Sequence, residues 1–174
     1  RCNYSSFIYS STGIDEGASQ FSRMLFTLNE FTTDEAIVSW GDAGIPNMHA
    51  MSWGASNPFI EGMYFRLAQT VSFTNSFITN AAPLAESNEE VKKYVAEARW
   101  IRAYAYYNLL DLFANVPLVT EVTTALPTQS NRQEIYTFVE SELKALENDL
   151  AEARSNEYGR VDKVAAYALL SRLY

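Results

Sequence analysis

Ala96-Glu-Ala-Arg-Trp-Ile-Arg-Ala-Tyr-Ala-Tyr-Tyr-Asn-Leu-Leu-Asp-Leu-Phe-Ala-Asn-Val-Pro-Leu-Val119 is the stretch on which the reading of this chain turns. Strong helix formers and aromatic residues alternate through it until Asn115-Val-Pro, where the pattern stops. The stretch predicts a helix buried on more than one side and followed by a fixed, extended exit, because Pro117 sets its own φ and restricts the residue before it. The spacing widens the same helix to about Ser87–Phe113. Val91, Tyr94, Val95, Ala98, Ile101, Ala105 and Leu109 keep the three/four rhythm, and Ser87-Asn-Glu-Glu90 reads as a capping box at its start.

Further helices follow from the same rhythm. Phe21, Met24, Leu25 and Leu28 mark one over about Asp15–Phe31, with Asp15 and Glu16 suited to its first turn. Asn57-Pro58 opens a second, as a cap followed by Pro at the first helical position, and Ala82-Pro83 is expected to break it. Ile135, Phe138, Val139, Leu143, Leu146 and Leu150 place a fourth over about Arg132–Glu152. A fifth begins near Asp162 and keeps its pattern to Tyr174 with no stop signal, which is expected of a fragment of a longer protein. Ala98, Ala103, Ala105, Ala165, Ala166 and Ala168 let neighbouring helices approach closely. Helix, connection, helix, connection, helix over 87–174 is the material of a degenerate tetratricopeptide-like solenoid, truncated at its C-terminus. The expected fold is mostly α, one helical region spanning 1–174. Between the first two helices, 32–57 forms a loop of about two dozen residues, well beyond the usual connection. Trp40, Met48, Met51 and Trp53 within it argue for an ordered, functional loop over a disordered one.

Bulk properties remove several function classes. A chain of 174 residues, 48% apolar, supports one domain with a sizeable core. Its net charge of −8 leaves no basic stripe for a nucleic acid and disfavours adsorption to an anionic membrane. A single cysteine, Cys2, forms no intrachain disulfide, and a single histidine, His49, leaves no zinc-type ligand set. No run approaches the ~18 apolar residues of a spanning helix. The opening Arg1-Cys2-Asn3-Tyr4 carries neither Met nor the apolar core of a signal peptide.

No catalytic arrangement stands out. Asp34-Glu35 is an acidic pair, but adjacent side chains point apart and do not straddle a glycosidic bond, so it reads as a local loop-ordering pair. His49 has no Ser or Cys motif around it and reads as an ordinary loop histidine. There is no Gly-rich phosphate loop and no metal spacing, so no cofactor, no metal and no enzyme is expected. Arg102 and Asp111 lie two and a half turns apart at ~3.6 residues per turn, so they do not pair. Arg99 lies on the same helix, and Arg102 and Asp111 are expected to be structural, binding neighbouring carboxylates or loop carbonyls. Trp40 and Trp53, flanked by Gly41, Gly44 and Gly54 and followed by Asn57, remain as ligand candidates. Sugar C–H faces stack on indoles, and amides meet their hydroxyls. Taken alone, the residues favour the alternative in which both indoles turn inward and anchor the loop.

Several blocks in order resemble the SusD/RagB family of outer-membrane glycan-binding lipoproteins. They are Asp15-Glu-Gly-Ala-Ser-Gln-Phe21 with Leu28-Asn-Glu-Phe-Thr-Thr-Asp-Glu-Ala-Ile37, and Asn57-Pro-Phe-Ile-Glu-Gly-Met-Tyr64. Ala98-Arg-Trp-Ile-Arg-Ala-Tyr104 with Leu112-Phe-Ala-Asn-Val-Pro-Leu-Val119 follows, and then Arg160-Val-Asp-Lys-Val-Ala-Ala-Tyr-Ala-Leu-Leu-Ser-Arg-Leu-Tyr174. The resemblance implies the N-terminal part of a longer SusD-like domain, since family members run to roughly three times this length. It further implies non-catalytic capture of an oligo- or polysaccharide at the surface of a Gram-negative outer membrane, for uptake through a SusC-like TonB-dependent transporter. Carried onto this chain, the family's glycan-side loop points to Trp53 and Asn57, and more loosely to Trp40. The lipid anchor is expected outside this segment, with Cys2 a structural cysteine. A protein–protein or peptide-cargo scaffold, with the tryptophans in its core, is the alternative. A glycoside hydrolase fragment would need an acid pair that the sequence lacks.

Overall fold

The computed structural model describes residues 12–15 and 17–174. Cys2 and Glu16, and the readings attached to them, lie outside the described residues. Two compact units are present, Arg1–Arg66 and Leu67–Tyr174. Among the described residues there are six α-helices and one 3-10 turn, and β pairing is confined to two isolated bridges. The fold is mostly α. Among the described residues no helix is long and apolar enough to cross a membrane.

In the first unit, helix α1 spans Phe21–Glu30 and buries Met24 and Thr27. Its start falls later than the spacing predicts. Asp15 accepts from the Ala18 N–H through Oδ1 at 2.7 Å and from the Ser19 N–H through its carbonyl at 3.0 Å. That local turn competes with the helix for the same backbone groups. Helix α2, Ile45–His49, is a short turn inside the long loop. Helix α3, Pro58–Ala85, runs through Pro83 instead of stopping before it. Only two residues follow Pro83 in the helix, so the missing N–H removes one bond of the last turn and the helix closes at Ala85.

The second unit carries the chain from Leu67 in α3 onward. Helix α4 spans Glu89–Phe113, and its cap is Asn88, one residue later than the Ser87 that the sequence pattern indicates. Asn88 Oδ1 accepts from the N–H groups of Glu90 and Val91 at 3.0 and 3.3 Å. Helix α5, Arg132–Ala145, opens on a full capping box: Asn131 Oδ1 accepts from the Glu134 N–H, and Glu134 Oε2 accepts from the Asn131 N–H. A 3-10 turn over Leu146–Asn148 ends it short of the Glu152 boundary read from the sequence. Helix α6, Lys163–Leu173, starts at Asp162, whose carboxylate accepts from the backbone N–H groups of Arg154 and Ala165. Those bonds hold the Asp162 carboxyl below its usual range.

Helix α4 packs on α5, and α5 on α6. The core they share contains Ala103, Tyr106, Ile135, Val139, Leu143, Leu146 and Leu169. Alanines on α4 bring the backbones close. Ala166 does the same on α6, whereas Ala168 faces solvent.

Among these apolar residues lies a charged cluster. Glu142 of α5 receives Arg99 Nη2 at 2.9 Å on one oxygen and Arg102 Nη2 at 2.9 Å on the other. Arg102, itself 6% exposed, also donates through Nη1 to Asn75 Oδ1 at 2.9 Å and to the Thr120 carbonyl at 3.0 Å. Asn75 then donates to the Val119 carbonyl at 2.9 Å. The Tyr106 hydroxyl accepts from the Val119 N–H at 2.7 Å and donates back to its carbonyl at 3.0 Å. The extended exit after Asn115-Val-Pro is thus fixed by side chains of α3 and α4. Where α4 ends, Ala114 adopts φ +60° and donates to the Leu110 carbonyl. Pro117 bridges to Gln129 in antiparallel fashion.

Burial pushes the Glu142 carboxyl up, and the hydrogen bonds from Arg99 and Arg102 outweigh it, so the group titrates below its ordinary value of 4.5. A depressed carboxyl contributes stability that is complete above the unfolded value and is lost as pH falls through the folded one. Glu142→Gln leaves two guanidiniums without their counter-charge and is expected to destabilise the protein by about 3 kcal/mol at pH 7. In urea titrations the gap to the parent protein should hold down to about pH 4.5 and narrow below it. A gap that stays constant through that range would remove the ion pair from the account.

Candidate functional site

The long loop of the first unit is closed by one amide. Asn57 Nδ2 donates to the Gly44 carbonyl at 3.0 Å, and Asn57 Oδ1 accepts from the Phe59 N–H at 3.0 Å, capping α3. The Asn57 backbone joins in, donating to the Gly54 carbonyl and accepting from the Glu61 N–H, both at 3.0 Å. Asn57 is 7% exposed. Its side chain therefore ties two distant turns of the loop together from the inside.

Gly44 makes that approach possible. It sits at φ +96°, a left-handed conformation that glycine adopts without strain. A Cβ there would lie 2.9 Å from both amide atoms of Asn57 and 3.1 Å from Pro58 Cδ. Next to it, Ile45 and Met48 of α2 are buried and anchor the turn. The His49 ring stacks on Phe31 at 5.6 Å, and its Nε2 accepts from the Val38 N–H at 3.0 Å. His49 is a structural loop histidine. The pair Asp34-Glu35 lies exposed in a local turn where the Glu35 N–H donates to Thr33 Oγ1.

With the loop held from within, its aromatic residues stand outside. Trp40 is 55% exposed and Trp53 is 42% exposed, so neither indole is the inward anchor that the residues alone favour. Ile45, Met48 and Asn57 are the buried side chains of the loop instead. The Arg23 guanidinium of α1 lies over the Trp40 ring, 5.4 Å from its centroid. Ile37 and Met51, exposed in the same loop, add apolar surface. Arg23 was not legible as part of this surface, because its helix spacing carries no sign of a contact with a residue seventeen positions on. Chemically, the arrangement offers flat apolar faces beside a cation, on a loop whose backbone is fixed. Among the described residues no group of three or more His, Cys, Asp and Glu side chains is placed to hold a metal ion.

Gly44→Ala is expected to displace the Asn57 amide and lower stability by about 1–3 kcal/mol, from positive φ and the steric overlap together. Thermal unfolding followed by tryptophan fluorescence checks this. An unchanged melting temperature would show that the loop does not depend on the approach of Asn57 to Gly44.

Comparison with known proteins agrees with this architecture. A SusD-like family model, described as starch-binding and associating with the outer membrane, matches residues 27–174. The starch-binding protein SusD of Bacteroides thetaiotaomicron is 35% identical over 163 residues, which make up 93% of this chain and 29% of that protein. This chain therefore spans less than a third of that relative's length. Among solved structures, a laminarin-binding SusD-like protein superposes with a TM-score of 0.78 at 20% identity, over 97% of this chain and 39% of its own. Surface glycan-binding protein A from Bacteroides fluxus gives 0.76 at 23% identity, over 97% and 39%. Those two likenesses establish the fold, and the match of the family model along most of the sequence establishes the kinship: this chain belongs to the SusD-like family.

Proposed function

We propose that the protein captures an oligo- or polysaccharide at the outer-membrane surface, without cleaving it, for uptake through a SusC-like TonB-dependent transporter. A lipid anchor outside this segment would hold it to the membrane. The reading is supported by family membership and by what the relatives are named for: starch for the 35% identical protein and laminarin for one solved structure. A further similar structure, at 21% identity and a TM-score of 0.71, is of a complex with a xylogluco-oligosaccharide. The observation in this chain that carries the reading is the pair of exposed indoles, Trp53 and Trp40, on a loop fixed from inside. Indole faces stack on the C–H faces of sugar rings and are worth most when the platform is already rigid. In this proposal Trp53 is the main stacking surface and Trp40 the second. Asn57 contributes by holding the loop, since its amide is occupied within it.

One observation favours a second reading. Phe73, Phe77 and Leu84 are exposed and share one face of α3 at helical spacing. A helical scaffold for a protein or peptide partner would use such a stripe.

The two readings separate on Trp53→Ala and Trp40→Ala, assayed by calorimetry against a polysaccharide panel with the full chain. Glycan capture predicts a loss of affinity of about tenfold or more, with the melting temperature held to within a few degrees. Loss of stability without loss of a ligand, or no binding across the panel, would move the assignment to the scaffold.

A further inference from the structure

The arm of the long loop that carries Trp40 runs over residues 36–41 with neither helix nor bridge. Among the described residues this arm makes one hydrogen bond, from the Val38 N–H to His49 Nε2 at 3.0 Å. Its second contact is the Arg23 guanidinium over the Trp40 ring. A single side-chain nitrogen on α2 therefore sets the backbone two residues ahead of the indole.

His49 is itself well placed for that task. It is the last residue of α2, a turn anchored by the buried Ile45 and Met48. Its ring is stacked on Phe31, with the two planes 24° apart, and Phe31 is buried at the end of α1. Two elements of the first unit thus fix the plane of the imidazole and aim Nε2 at Val38. A backbone N–H has only a proton to give, so Nε2 takes part as an acceptor and the ring hydrogen sits on Nδ1.

The bond matters because an aromatic side chain binds best from a backbone already in place. Ordering a segment at the moment of binding costs affinity, in proportion to the fraction of molecules that present the residue correctly. A tether made in advance by a helix side chain removes that cost. We propose that His49 is a positioning residue, which presents Trp40 for stacking through the Val38 N–H and does not touch the ligand. The proposal rests on the reading of the protein as a glycan binder and names what prepares one of its stacking surfaces. Asn57 closes the loop where it meets α3, and His49 sets the arm at its other end.

Two substitutions separate the acceptor from the ring. His49→Phe keeps an aromatic ring for Phe31 and removes the acceptor. His49→Gln removes the ring and keeps an acceptor, since the Gln amide oxygen lies as many bonds from Cβ as Nε2 does. In fluorotryptophan-labelled protein, the Trp40 signal, identified by Trp40→Phe, reports the setting of that indole by fluorine NMR with no ligand added. His49→Phe should shift and broaden it, and His49→Gln should return it toward the parent spectrum, with the Trp100 signal unmoved in both. Calorimetry on the full chain, with a malto-oligosaccharide as probe, reads the consequence. His49→Phe should weaken binding roughly three- to tenfold with the melting temperature held within a few degrees, and His49→Gln should recover most of the loss. A Trp40 signal indifferent to His49→Phe, a Gln variant no better than the Phe variant, or an affinity that falls on Trp40→Ala but not on His49→Phe would each overturn the proposal. Absence of binding by the parent protein counts against the glycan reading, and the fluorine spectra then decide the role of His49 on their own.

Discussion

Glu142 is the point on which the second unit depends. Its carboxylate joins α5 to α4 through Arg99 and Arg102, and Arg102 extends the connection to Asn75 on α3 and to the carbonyl of Thr120. Long helices lying side by side can slide or rotate with little change in apolar contact. A buried guanidinium with directed partners on three segments removes that freedom, since any shift of register leaves a charge without its mate. The partners of Arg102 lie 18, 27 and 40 residues away in sequence, so the cluster closes only when the exit segment, α3 and α5 are all in place.

The first unit solves a different problem with the same economy of groups. A loop that exposes indoles gives up the burial that would ordinarily hold it. Asn57 supplies the substitute, with one side-chain amide satisfying both a distant carbonyl and the first free N–H of α3. Gly44 permits the approach, while Ile45 and Met48 provide the buried apolar contact. Order in the loop is thereby separated from the residues on its surface, and the surface can vary without unfolding the loop beneath it.

Much of this was legible in the sequence where a periodic or chemical signal was local. Spacing alone marks the stripe on α5, which is buried at Ile135, Val139 and Leu143. The expectation that Arg102 holds carboxylates or loop carbonyls is met, since it binds one of each. Asn57-Pro58 is a local helix-start signal, and Asn57 caps α3. What escaped was decided by competition among neighbouring groups for the same backbone positions. Asp15 makes its own turn ahead of α1, Asn88 displaces Ser87 as the cap of α4, and Pro83 is tolerated because it falls in the last turn. The outward placement of Trp40 and Trp53 was similarly invisible to composition. Burial of an aromatic depends on which residues of its segment take the interior, and in this loop Ile45, Met48 and Asn57 are the buried side chains. No spacing rule registers a residue's being displaced from a core by its neighbours.

The contact between Arg23 and Trp40 gives that indole two unequal sides. A guanidinium over one face of the ring is worth about 0.5–1 kcal/mol at an exposed site. A planar molecule arriving at Trp40 on this face meets a cation that must be moved. Pyranose rings also have two unequal sides, one richer in C–H bonds than the other. In the proposed stacking role, a cation over one face makes the two sides of Trp40 unequal for an arriving ring, so Arg23 would bias the sense in which a sugar settles there.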